Sequence, residues 1–293
     1  MGVIGDKFRA VLSRCDLVLV PRANDRLRQR IEARPAAVAG EIEVALDRAL
    51  DWFGRQEMLE ISALMVLDDL RAAGLDPRLD FVLQRIDRYR RAHPGFRERL
   101  FDKDFAHDPT DDPYGVKLRN PADGQVFEHP LDTIMRRCLY ADRLGLGDEF
   151  IDELRSLEDG GGYGTTHIVV GGRLLKRLGT IDHAVIDAAM QETAERIAAA
   201  QHSARSGDIF AERIVVLHWL GRRDLIDPAW IVRLVDAQLP DGGWAGRVSL
   251  RRSVSNQHTT ALGIAALMQY REASRQDTPP TRRPGHDAEG ISP

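Results

Sequence analysis

Cysteine is scarce in this chain. Only Cys15 and Cys138 occur, and no C-x-x-C pair is present, which excludes a disulfide framework and fits reduced thiols in a cytosolic compartment. A surplus of positive charge is also missing. With a formal net charge of −4 and no long run of lysine or arginine, a phosphate-neutralising surface is not expected, and so neither is a nucleic-acid partner. The apolar run from Val11 to Val20 is broken by Arg14, Cys15 and Asp16, too short and too charged for a signal peptide or a membrane span. No stretch keeps the period-two alternation of a half-buried strand for long. These absences leave a cytoplasmic protein of the all-α class.

What is present is helical periodicity over enough chain to bury a full core, with 43% hydrophobic and 29% charged residues in 293. Residues 1–34 read as a lead-in of two short helices, the second basic. From Pro35 the pattern becomes almost wholly helical: Val38 to Phe53 and Leu59 to Ala73 form a pair, Gly74-Leu75-Asp76-Pro77 stops it, and Leu79 to His93 follows. The main body runs from 35 to 273. Beyond it, 274–293 carries four prolines and no apolar periodicity, the composition of a disordered tail.

The most ordered stretch is Trp230 to Tyr270. Ile231, Leu234, Val235 and Gln238 have helical spacing, Pro240-Asp241-Gly242-Gly243 stops that helix, and Ala261 to Met268 restart an apolar one after a loop. The second helix is apolar over most of its circumference while the first keeps Arg233 and Asp236, so one inner and one outer helix are implied. Trp230 with its aliphatic run, Gln238 and Gly242-Gly243-Trp244 resembles the glutamine-tryptophan repeat of squalene-hopene cyclases and of protein prenyltransferase β-subunits, with Trp230 and Gln238 one residue further apart than in that pattern. His258-Thr259-Thr260 before an Ala/Leu/Gly-rich helix resembles the last prenyltransferase repeats. The resemblance implies a single α/α toroid, a barrel of inner and outer helix pairs. It does not carry the families' catalysts with it. Val66-Leu67-Asp68-Asp69 and Pro109-Thr110-Asp111-Asp112 lack the first aspartate of the cyclases' Asp-x-Asp-Asp acid, and Arg136-Arg137-Cys138 lacks the aspartate of the prenyltransferase zinc site, although His258 matches its histidine. At 6% aromatics the chain is also poorly equipped to line a cavity that stabilises carbocations.

An internal repeat is visible. Apolar helices are expected to start near His129, His167 and His258, separated by 38 and 91 residues, close to one and two units of a roughly 40-residue helix-pair repeat. Glu60 and Asp208 occupy related positions. The corners before them repeat too, Glu158-Asp159-Gly160-Gly161-Gly162-Tyr163 paralleling Pro240 to Trp244, each aromatic being expected to close its corner against the preceding helix. In a toroid the inner helices run parallel and their N-termini share one mouth, so His129, His167, His258, Glu60 and Asp208 converge there as candidate catalytic residues. The partial charge of a helix N-terminus favours neutral imidazole, the form that binds metal or accepts a proton. His129, His167 and His258 are thus also candidate metal ligands, zinc being the ion that suits imidazole plus carboxylate. Gly171 and Gly172 inside the His167 helix cost about 1 kcal/mol each relative to alanine, which points to a close approach by a neighbouring backbone or a ligand.

Residues 94–128 break the rhythm. Asp102, Asp104, His107, Asp108, Asp111 and Asp112 crowd a proline- and glycine-punctuated loop of a length usually functional or disordered. Three readings follow. The first is an enzyme acting on a hydrophobic or peptidic small molecule at the histidine ring, with the loop as a lid. The second is a carbohydrate-active toroid with paired carboxylates, Asp111 or Asp112 against Glu60 or Asp208, and Tyr163 or Trp244 stacking on a sugar. The third is a non-catalytic helical-repeat binding module.

Overall fold

The computed structural model describes residues 22–92, 99–105, 117–119, 126–128, 130–160, 162–202, 207–246 and 253–276. They form an all-α protein. The helices are α1 (22–33), α2 (Pro35–Gly54), α3 (Ile61–Ala72), α4 (Phe81–Ala92), α5 (Pro130–Leu139), α6 (Ala141–Leu144), α7 (Phe150–Arg155), α8 (Gly162–Leu178), α9 (His183–Gln201), α10 (Asp208–Trp219), α11 (Pro228–Asp236) and α12 (Gln257–Gln276). The only strands among the described residues make two short antiparallel pairs. β1 (Lys117–Arg119) pairs with β2 (Val126–Glu128) inside the segment read as a loop, and β3 (Trp244–Ala245) pairs with β4 (Ser255–Asn256).

Local chemistry sets the helix starts. Proline opens α2 and α11, where its missing N–H is no loss. Asp182 and Asp227 cap α9 and α11 by accepting from Ala184 and Ala229 amides at 2.8 and 3.0 Å. Asn256 does the same for α12, its Oδ1 accepting from the Thr259 amide at 2.9 Å.

Two helices are the most completely buried. Every residue of α12 from Thr259 to Met268 is buried, and α10 is buried on nearly all sides. α12 packs between α10 and α3, α8 packs against α10, and α2, α4, α9 and α11 pack onto α3, α8, α10 and α12. These four run in the same direction. At one end, the Glu60 amide just before α3 donates to Gln257 Oε1 of α12 at 2.6 Å, the Thr259 hydroxyl of α12 donates to Asp208 of α10 at 2.7 Å, and the Tyr163 hydroxyl of α8 reaches the same aspartate at 2.7 Å. At the other, Arg271 of α12 donates to the Leu75 carbonyl beyond α3 at 3.1 Å, while Arg173 of α8 lies over the Trp219 ring ending α10 and pairs with Asp69 of α3 at 2.8 Å. The four helices thus share one N-terminal end and one C-terminal end.

The glutamine-tryptophan segment works as a latch. Gln238 Nε2 donates to the Ala45 carbonyl of α2 at 2.8 Å and to the Gly242 carbonyl at 2.9 Å, Trp230 is fully buried, and Trp244 is 2% exposed with its indole N–H on the Leu234 carbonyl at 2.7 Å. Gly263 makes room for that ring, since a Cβ there would lie 2.8 Å from it.

Three expectations are corrected. α8 begins at Gly162, so His167 sits in its second turn rather than at its start. The close neighbours of Gly171 and Gly172 are side chains, not backbone or ligand: a Cβ would meet Leu154 Cδ1 at 2.8 Å and Met190 Sδ at 2.6 Å respectively. α12 continues to Gln276, three residues past the expected end of the helical body. Among the described residues no helix is long and apolar enough to cross a membrane.

Candidate functional site

The shared N-terminal end of α3, α8, α10 and α12 gathers most of the polar side chains singled out from the sequence. Asp208, the first residue of α10, anchors them. Its Oδ1 accepts from the Thr259 hydroxyl and its Oδ2 from the Tyr163 hydroxyl, both at 2.7 Å, and His258 Nε2 is 3.9 Å from Oδ2. Its own amide donates to the Gly246 carbonyl at 3.1 Å, which fixes the start of α10 against the strand that carries Trp244.

One turn further along α10 lies a residue the sequence reading missed. Glu212 shares the face of Asp208 because side chains four residues apart on a helix lie one above the other, and it is 3% exposed. Neither of its carboxylate oxygens has a hydrogen-bond partner. His167 Nδ1 approaches Oε1 to 3.3 Å and also bonds the Tyr163 carbonyl at 2.9 Å. A carbonyl can only accept, hence the hydrogen of that bond resides on Nδ1. Burial pushes the Glu212 carboxyl up, yet His167, Thr166 and His258 together outweigh it and hold its pKa below the ordinary carboxylate range. Glu212 is an ionised carboxylate at neutral pH. Arg213, next in sequence, turns away and donates to the Ala200 carbonyl at 3.1 Å.

The remaining candidates divide. His258, Asp208, His167 and Tyr163 come together. Glu60 does not join them: its side chain is exposed, and its backbone amide alone makes the link to α12. Trp244, expected at a sugar-stacking surface, is in the core, because its ring fills the space above Gly263. Tyr163 is 43% exposed and lies beside His167, edge to face at 6.1 Å between ring centres, instead of closing a corner. His129, Asp111 and Asp112 lie outside the described residues.

Among the described residues the exposed large hydrophobic side chains are Val44, Met58, Leu83, Leu144, Tyr163 and Val254; Met58 and Val254 precede α3 and α12, and Tyr163 is the second residue of α8. The arrangement offers two carboxylates, two imidazoles and a phenol. Such a group is suited to moving protons or holding a cation next to a partly apolar molecule.

No family model matches the sequence, and neither a curated protein nor a solved structure matches it.

Proposed function

We propose that the chain is a small-molecule enzyme built as one α/α toroid of the terpenoid cyclase and prenyltransferase kind. In this reading α3, α8, α10 and α12 are the inner helices, and the Tyr163, His167, Asp208, Glu212 and His258 cluster is the reaction centre at their mouth. The substrate is hydrophobic or peptidic and rests on Met58, Tyr163 and Val254. The observation that carries the reading is Glu212. A buried carboxylate without a hydrogen bond is costly for a fold to keep, and a perturbed ionisable group in a cluster of others is a mark of a functional site.

The roles follow from the contacts. Glu212 and His258 are the groups with buried polar atoms that lack a partner, Nδ1 in the case of His258, so they are assigned the proton-transfer steps. Asp208 and His167 hold them in place, and Tyr163 spans Asp208 and the solvent-facing rim.

A ligand screen tests this directly. Ligand-observed NMR of the wild-type protein with hydrophobic acids, amines and short peptides is expected to yield binders whose affinity falls about tenfold or more in Glu212→Gln and His258→Gln, and mass spectrometry of the mixtures should then show turnover of one of them. Should every binder hold equally well to both variants, the cluster is not the ligand site, and the non-catalytic binding module replaces the enzyme.

A further inference from the structure

We infer that Asp208, Glu212 and His258 form a binding site for one divalent cation of the zinc type. The assignment rests on the reading of this cluster as the reaction centre, but it names a ligand set that neither the helix-start pattern nor the matched histidine of the resembled families contains. Each of the three offers a ligand atom within 4.8 Å of the other two. Around a tetrahedral zinc with bonds near 2.0–2.1 Å, ligand atoms are separated by about 3.3 Å. His258 Nε2 and Asp208 Oδ2 are 3.9 Å apart and no separation in the group passes 4.8 Å, so binding draws the ligand atoms together by at most about 1.5 Å.

The placement has the features that distinguish a metal site from a patch of acid. Two ligands come from one face of α10 at i and i+4, the spacing by which a helix presents a pair of ligands to one ion, and the third comes from the start of the neighbouring α12. The partners that orient ligands are already present: Tyr163 and Thr259 donate to Asp208, and His167 stands next to Glu212 Oε1. What lacks a directed hydrogen bond is the buried Glu212 carboxylate itself, at both oxygens. A cation between the three residues supplies a partner. Three protein ligands also leave the fourth position of a tetrahedral ion open, as in catalytic rather than structural zinc sites.

The test is calorimetric titration of the chelator-treated full-length protein with zinc chloride, alongside the visible spectrum after loading with cobalt(II). One ion per chain is expected, with binding weakened on the order of 100-fold or more in Glu212→Gln and in His258→Gln and unchanged in His183→Ala, which removes an exposed imidazole elsewhere. The cobalt bands of the wild type should be lost in Glu212→Gln. If that variant does not fold by circular dichroism, Tyr163→Phe decides, since it deletes one hydrogen bond to a ligand and is expected to weaken zinc about tenfold. Absence of stoichiometric zinc in the wild type, or zinc held equally by both ligand variants, overturns the assignment. Should zinc fail to bind while small-molecule binding still depends on Glu212, the metal site falls and the acid/base reading stands. Zinc held by these residues with no Glu212-dependent ligand gives the reverse.

Discussion

Two corners of the molecule share a string, Asp-Gly-Gly followed within two residues by an aromatic, and do opposite things with it. At 240–244 the aromatic carries the structure. Asp241 accepts from the Gly243 amide at 3.2 Å, the Ser255 hydroxyl at 2.6 Å and the Trp52 indole at 3.2 Å, Gly242 takes φ +99°, and Trp244 is sealed against Gly263. At 158–164 a glycine carries it instead. A Cβ on Gly164 would lie 1.8 Å from the Leu157 carbonyl oxygen, so the first turn of α8 can sit on the preceding turn only without a side chain there. Tyr163 is thereby released to the surface and the site. The difference lies in what comes next: a strand that pairs across the hairpin turns its aromatic inward, whereas a helix starting at once leaves its second side chain outside.

That contrast can be broken most severely at Trp244. Trp244→Ala removes a buried ring and is expected to cost about 3–5 kcal/mol, while Tyr163→Ala, a substitution at a surface position, should cost under about 1 kcal/mol. Urea melts of the two variants that coincide would abolish the distinction between a structural and a functional aromatic.

The next effect in size belongs to Gly164. Gly164→Ala forces the Leu157 carbonyl and α8 apart, and overpacking of this kind costs roughly 3 kcal/mol. Thermal unfolding of Gly164→Ala beside Gly40→Ala, where a Cβ meets nothing within 4 Å, separates steric cost from any gain in helix propensity. Only Gly164→Ala should lose stability.

The smallest effect is a pH dependence that sharpens the role of Asp241. Burial raises its pKa, but the Ser255, Gly243 and Trp52 hydrogen bonds lower it further than that, leaving it below the ordinary carboxylate value. A depressed folded pKa stabilises fully above the unfolded value of about 4, and the stabilisation is lost as pH falls through the lower folded value. The melting-temperature gap between wild type and Asp241→Asn should therefore be wide near pH ~6 and narrow towards pH ~2. An equally wide gap at both would mean that the bonds to Asp241 do not depend on its charge.

The all-α class and the interior place of α12 were legible because burial leaves a periodic trace: Ala261 to Met268 are apolar in an unbroken run and all are buried. Gln238 was legible for a similar reason, as an amide beside a proline-glycine stop has backbone groups to bond. Within the candidate site, Asp208 and His258 stood out because each breaks into an apolar run at its start. Glu212 did not. Set among Phe210, Ala211, Ile214 and Val215, a single acid reads as the one solvated position of an amphipathic helix, and only the packing of α8 and α12 on both sides makes it interior. The trace that was there is the i, i+4 pair of Asp208 and Glu212 in a helix otherwise almost entirely apolar. The register of α8 was hidden because Gly162 and Gly164 are poor helix formers, and the approach of Leu157 that requires glycine is a tertiary fact.

The bond from the Asp208 amide to the Gly246 carbonyl makes the candidate site a dependent of the tryptophan corner. The first peptide of α10 has no partner within its own helix, and Gly207, at φ +146°, lies where a Cβ would come to 3.1 Å from the same carbonyl. The position of the aspartate is thus inherited from a hairpin that is itself clamped to α2 through Asp241 and Trp52. The site therefore depends on a contact with the first long helix, almost two hundred residues earlier in the chain. A chain that is folded everywhere but at that clamp would keep its helices and lose its site.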